Sequence, residues 1–341
     1  MSEEWQARCP VAVLAGHAEH RERVFRGAAY ASFSKKVRWA LDPMNQPLSV
    51  TANPPHLAEV EVVLATWGMP VLEKSLLDAM PSLRAVFYAA GSVRPFVTPF
   101  SWQRGIRIYC AASMNAIPVA EFTFAQILLA TKAVPRVRVQ SREDWVSGSA
   151  YRHRLSGNYA VRVGLISYGA IARLVRERLR TTDHEVVVYD PFLTAEEAEK
   201  AGVKQVSLET LLSTSDVVSL HTPLLPETRG WIRGHHLELM REGATLINTS
   251  RGAVLSQPEL ADVMQRRSDL TAILDVLESE PPEEDEPLLK LPNVWIYPHL
   301  AGSIGNEYQR LVAGMTDALD AYLGGQFSVY EVREADMARM A

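Results

Sequence analysis

The chain has 341 residues, 47% hydrophobic and 22% charged, with a formal net charge of −5 at pH 7. That length and makeup fit two soluble domains, each able to bury a core without metals or crosslinks. A mildly acidic chain with no dense basic cluster is a poor partner for nucleic acid or an anionic membrane, and the arginines around 134–142 and 173–180 read as solvated helix faces. From the N-terminus, Glu3, Glu4 and Arg8 precede an apolar run at residues 10–15, too short for a secretory core or a membrane span. No later run reads as long enough to span. Cys9 and Cys110, the only two cysteines, are far apart and outside any metal-like spacing. They read as structural thiols of a reducing, cytoplasmic protein.

Short β-branched runs alternate with longer segments of helical period, the mark of parallel α/β architecture. The first strand candidates are residues 11–15, 60–65, 85–89 and 106–111. Between the last two lies the loop Gly91-Ser92-Val93-Arg94-Pro95. Trp67, just after the second run, is a candidate for packing or for a pocket wall. A long apolar helix is expected to start after Pro118, since proline suits a helix's first turn, and to run through Glu121, Phe124, Ile127 and Leu128 towards Lys132. Residues near 135–158 are polar and read as a connecting or interface segment, with Trp145 a candidate for subunit contact.

A second series of strands follows at residues 161–167, 185–190, 216–221, 245–250, 272–276 and 294–297. Such a set, with helices between, is what a dinucleotide-binding domain needs. A final helix is expected over 303–324, on the spacing of Leu311, Met315, Leu319 and Tyr322. The expected division is therefore residues 1–118 plus 304–341 against 119–303.

The first strand of that second series runs into Ser167-Tyr168-Gly169-Ala170-Ile171-Ala172, a degenerate G-x-G-x-x-G turn. Gly169 would let backbone approach a pyrophosphate at the N-terminus of the following helix. Ser167 stands where a tight turn prefers a positive φ. Alone, the turn also fits an ordinary strand–helix junction. Asp190 closes the next strand 18 positions after Ala172. A carboxylate there would bond ribose hydroxyls and repel a 2′-phosphate, which favours NAD; the bland alternative is a turn-forming Asp before Pro191.

Three later strand ends each close on a reactive residue: Arg251 after Asn248-Thr249-Ser250, Glu280 after Asp275 and Ser279, and His299 after Pro298. Ligands of open α/β sheets lie beyond the carboxyl ends of the strands. Reducing a carbonyl with hydride leaves an alkoxide, for which histidine is the natural proton donor near neutral pH. A carboxylate beside an imidazole orients it and favours its charged form, and an arginine grips a carboxylate and polarises a carbonyl. Each residue alone has an ordinary structural reading; the triple is harder to dismiss.

These residues, with Asn115–Glu121, Asp216–Pro223, Pro226–Arg229, Asn248–Gly252, Glu280-Pro281 and Pro298-His299 in that order, resemble the D-isomer-specific 2-hydroxyacid dehydrogenases. That group includes glyoxylate/hydroxypyruvate reductases, D-lactate dehydrogenases and phosphoglycerate dehydrogenases. The resemblance implies two Rossmann-like, doubly wound parallel-sheet domains flanking an active-site cleft, and a homodimer formed through the region after Val119. It implies a soluble cytoplasmic enzyme, with no nucleic-acid or membrane partner, that interconverts a small D-2-hydroxy acid and its 2-keto acid. It also implies His299 as acid/base, Glu280 as its partner and Arg251 as the substrate clamp.

The implied NAD-binding set is Tyr168, Gly169, Ala170, Ile171, Asp190, Pro191, His221, Thr222, Pro223, Thr228, Thr249, Asp275, His299 and Gly302. Asp275 would hold the nicotinamide carboxamide. Residues 221–223 would border the adenine side. The implied substrate set is Gly91, Ser92, Val93, Arg251 and His299; no metal is implied. The chain departs from the family pattern at Ser167, Ala172, Ser256 and Val93, while Glu280, a carboxylate, argues against the formate-dehydrogenase branch. Arg94 is a candidate for a second anionic group or a solvated arginine. The alternative reading of the whole is an NADH-responsive dimeric binding module.

Overall fold

A computed structural model of the protein describes residues 9–45, 48, 55–137, 140–151, 157–338 and 340. The described chain forms two compact units, one from the residues up to Ala116 and from Ser303 onward, the other Ile117–Gly302.

In the first unit, β1 (Val11–Ala15), β2 (Arg38–Trp39), β3 (Val62–Ala65), β4 (Ala85–Tyr88) and β5 (Arg107–Cys110) pair in parallel in the order β2-β1-β3-β4-β5. The central strands are buried along their whole length, so they read as continuous apolar runs rather than alternating ones. Alternate side chains feed two cores: Val13, Val63, Val86 and Ile108 on one face, and Leu14, Leu64, Phe87 and Tyr109 on the other. The C-terminal helix Tyr308–Leu323 covers the second face with Leu311, Val312, Met315 and Leu319. It is preceded by a short 3-10 turn over Gly305–Glu307, so the helix begins later than its spacing suggested.

The second unit holds β6 (Tyr159–Ile166), β7 (Asp183–Tyr189), β8 (Lys204–Gln205), β9 (Val217–Leu220), β10 (Thr245–Asn248), β11 (Thr271–Leu274) and β12 (Val294–Ile296). They form a parallel seven-stranded sheet in the order β8-β7-β6-β9-β10-β11-β12. The chain winds outward from β6 on one side, then crosses to β9 and winds outward on the other. The strand order therefore reverses between β6 and β9, where ligands of such sheets bind. Strand β13 (Glu331–Val332) closes the first sheet antiparallel to β5, where Arg107 grips Glu331 through two hydrogen bonds of 2.8 Å.

The structure corrects several expectations. Strands β2, β8 and β13 each span two residues, too short to show a pattern in sequence. The apolar helix is Ala112–Ala130, with Pro118 in its interior rather than at its start. Buried Val119, Ala120, Thr123 and Ile127 hold that helix in place despite a proline that cannot donate to Met114. Its length and composition suffice to cross a membrane, contrary to the expectation that no run is long enough. Its buried face packs in a core with Val163, Leu165 and Ile247. In the polar 135–158 stretch a helix forms over Arg142–Tyr151, opened by Glu143 and Asp144 in its first turn. Arg136 is no solvated residue either, since its guanidinium donates to the Asp269 carbonyl and the Thr271 hydroxyl.

Candidate active site

Strand β6 ends at Ile166, and Ser167 turns the chain with φ +70°. That left-handed conformation is costly for a side-chain-bearing residue. The Ser167 hydroxyl meets the Thr222 hydroxyl at 2.9 Å across the β6/β9 crevice, and its N–H donates to the Tyr189 carbonyl. Gly169 then caps the helix Ala170–Leu179, and a Cβ placed there would meet nothing within 4 Å. The backbone is thus open to a large anion where helix N–H groups are free.

Asp190, one residue past β7, accepts from the Tyr168 N–H and the Phe192 N–H at 2.7 Å each. Each carboxylate oxygen keeps acceptor capacity for a further donor. Pro191 beside it is exposed. Past β9, His221 is 8% exposed and neither ring nitrogen has a partner among the described residues. Burial lowers its pKa to about 3, so it is neutral. Pro223 follows Thr222, and its carbonyl accepts from the Thr228 hydroxyl at 2.6 Å. The open Gly169, the free capacity of Asp190 and the unpartnered His221 fit a dinucleotide along this crevice.

Arg251, Glu280 and His299 line one pocket of about 230 Å³, together with Leu224, Arg229, Gly252, Leu277 and Glu278. Glu280 Oε2 lies 2.7 Å from His299 Nδ1, and Glu280 Oε1 accepts from the Leu277 N–H at 3.1 Å. That pins the carboxylate and leaves His299 Nε2 as the ring's outward atom. His299 itself has φ +55°. This strained conformation is held by Asp275, whose carbonyl accepts the His299 N–H. The Asp275 side chain, 1% exposed, accepts from the Leu300 and Ala301 N–H groups at 2.7 and 3.0 Å. Burial pushes the Asp275 carboxyl up, and those two backbone donors oppose the shift. Gly302 follows directly.

Burial also lowers the Arg251 pKa, which the charge of Glu280 opposes; an arginine stays cationic regardless. Its Nη1 donates to the Ser250 carbonyl at 2.6 Å. The loop that presents it is wired by Asn248, whose amide donates to the Arg251 carbonyl and whose oxygen accepts from the Ser250 N–H and hydroxyl. Thr249 meets the Thr123 hydroxyl at 2.9 Å.

Two contributors were assigned no role from sequence. Gly252 is required because a Cβ there would sit 2.0 Å from the Leu277 carbonyl carbon, and Arg229 reaches Glu278 at 3.6 Å on the pocket wall. A glycine after a reactive arginine was the available signal for the first. No metal-binding group of His, Cys, Asp or Glu occurs among the described residues.

In the first unit, the Gly91–Val93 loop follows β4. Cys110 Sγ lies 3.5 Å from the Ala90 carbonyl, and buried Val93 anchors the loop's far side. Arg94 donates from Nε to the Met340 carbonyl at 2.7 Å and from Nη2 to Met337. Two of its five N–H donors are thus engaged by backbone carbonyls, and the side chain is half-buried. Trp67 is half-buried and packs edge-on to Tyr308.

Residues 124–301 match the model of the NAD-binding domain of D-isomer-specific 2-hydroxyacid dehydrogenases. The chain is 34% identical to D-3-phosphoglycerate dehydrogenase of Archaeoglobus fulgidus over 73% of its own length and 46% of that protein. It is 30% identical to glyoxylate reductase of Korarchaeum cryptofilum, over 75% of this chain and 77% of that one. Among solved structures, D-mandelate dehydrogenase of Rhodotorula graminis superposes with a TM-score of 0.78 at 20% identity, over 95% of this chain and 98% of that one. The chain spans about half the length of the phosphoglycerate dehydrogenases it matches.

Proposed function

The chain belongs to the D-isomer-specific 2-hydroxyacid dehydrogenase family, and on that footing we propose that it interconverts a small D-2-hydroxy acid and its 2-keto acid with NAD(H). The observation that carries the proposal is the 2.7 Å contact between His299 Nδ1 and Glu280 in the pocket that also holds Arg251. A nicotinamide held by the second unit would be the source of hydride for the carbonyl carbon; the remaining steps fall to the chain's own residues. Arg251 pairs with the substrate carboxylate and stabilises negative charge as it grows on the carbonyl oxygen. His299 delivers the proton to that oxygen from Nε2, because Nδ1 is engaged by Glu280. Glu280 orients the ring and stabilises the imidazolium, and in the oxidation direction His299 Nε2 takes the proton from the substrate hydroxyl.

Residues 168–171 and the helix behind them would hold the pyrophosphate, Asp190 the ribose hydroxyls, and Asp275 the carboxamide. Residues 221–223, Thr228, Thr249 and Gly302 would border the same molecule. Gly91–Val93 would offer backbone donors to the substrate carboxylate.

A second copy of the chain would cover the apolar residues exposed after Val119: Leu129, Val134, Trp145 and Val146 are 41%, 49%, 65% and 61% exposed. Trp145→Glu then yields monomers in sedimentation; a wild-type monomer refutes the dimer.

The deciding experiment follows NADH oxidation against a panel of 2-keto acids. His299→Ala is expected to lower kcat at least ~10³-fold while leaving NADH affinity within about threefold. NADH binding by the wild type without turnover of any keto acid favours the binding module instead.

A further inference from the structure

The pocket that holds Arg251, Glu280 and His299 is also lined by a second cation and a second carboxylate, Arg229 and Glu278, and all its lining residues belong to the second unit. Backbone contacts fix both beside the Arg251 loop. Arg229 follows the short turn Pro226–Thr228, and its N–H donates to the Leu225 carbonyl at 3.1 Å. The next N–H, that of Gly230, donates at 2.8 Å to the carbonyl of Ala253, two residues past Arg251. On the other side, Gly252 lets the Arg251 loop lie against the Leu277–Glu278 peptide, since a Cβ there would sit 2.4 Å from the Glu278 nitrogen. The Glu278 N–H in turn donates to Gln257 Oε1 at 2.8 Å.

The Arg229 and Glu278 side chains are 59% and 51% exposed, and their N–O approach is 3.6 Å. At that separation Glu278 offsets the charge of Arg229 without forming a hydrogen bond to it. With His299 protonated for reduction, two guanidiniums and an imidazolium face two carboxylates in this pocket. The second unit's part of the site therefore carries a single positive charge, which one substrate carboxylate on Arg251 cancels. A second anionic group would take the site past neutrality. In a pocket of about 230 Å³ it would also lie close to Glu278, where like charges are screened less than in bulk water.

We propose that Glu278 is a specificity-determining residue that masks Arg229, so that the site takes 2-keto acids with one anionic group and rejects those with a second carboxylate or a phosphate. The proposal rests on the dehydrogenase reading above and narrows its substrate class. An opposing charge discriminates against the wrong substrate without touching the right one. Replacing that charge by an amide of the same shape leaves Arg229 unmasked, and a planar guanidinium grips carboxylate or phosphate through paired N–H donors.

The test measures kcat/KM for two matched pairs, 2-ketobutyrate against oxaloacetate and hydroxypyruvate against phosphohydroxypyruvate. In the wild type the singly charged acid of each pair is expected to exceed its more highly charged partner by at least ~10-fold. Glu278→Gln is expected to shift that ratio towards the more highly charged acid by at least ~10-fold. Adding Arg229→Gln to it returns the ratio to within about threefold of the wild-type value, because no unmasked cation remains. Glu284→Gln removes the same charge from an exposed position on the following loop and leaves the ratio within about twofold. A wild-type preference for oxaloacetate and phosphohydroxypyruvate overturns the filter while the dehydrogenase reading stands. So does a ratio that Glu278→Gln leaves unchanged, or that Glu284→Gln shifts as far. Turnover of no keto acid at all removes the dehydrogenase reading and the filter with it.

Discussion

At His221 the fold buries an imidazole without a partner for either nitrogen among the described residues, and holds its pKa at about 3. An unfolded histidine titrates near ~6.5, so between those values the unfolded chain binds the additional proton. His221 therefore costs stability progressively as pH falls from about 6.5 towards 3, and adds no proton-linked cost above that window. The slope is at most about 1.4 kcal/mol per pH unit. His221→Leu should flatten the acid side of a stability–pH curve; parallel curves for both proteins between pH 6.5 and 4.5 would contradict this. Residue-scale reading from sequence went furthest where chemistry restricts the choice. Ser167 was marked as a residue at a position wanting positive φ, and it has φ +70°. The partners of Arg94 were not legible because the Met337 and Met340 carbonyls lie more than 240 positions away.

Among elements, the helix Ala112–Ala130 shows packing overriding a local rule. A proline in a helix interior removes one backbone bond and crowds the carbonyl four residues before it. Here that carbonyl belongs to Met114. Pro118→Ala restores a donor and relieves the clash, with an expected gain on the order of 1–3 kcal/mol in chemical denaturation. A loss of stability would mean the helix needs the deformation that proline imposes. The long strands were legible because a buried parallel strand must be apolar throughout, as in Val62–Ala65 and Val217–Leu220. The two-residue strands were not, because Arg38–Trp39 and Lys204–Gln205 pair at sheet edges where no side-chain pattern is imposed.

For the whole molecule, two sheets with separate cores mean that cofactor binding acts first on one unit. In hydrogen exchange, NADH should slow residues 166–172 and 187–192 of the second unit and leave the amides of β1, β3 and β4 unchanged when no keto acid is present. A ligand at ~100 times its dissociation constant stabilises what it binds by about 2.7 kcal/mol. Equal protection of both sheets by NADH alone would show that the two units respond as one.

The sequence by itself determined the parallel α/β architecture, the second strand series and the placement of Arg251, Glu280 and His299 after separate strands. Each follows from periodicity or from the order of residues along the chain. Only the tertiary structure decided that Gly252 must lack a side chain against Leu277, that Ser167 pairs with Thr222, and that Arg21 and Arg94 spend their charge on backbone carbonyls. Those outcomes depend on which distant segment packs against each residue, and long-range packing leaves no period in the sequence to read.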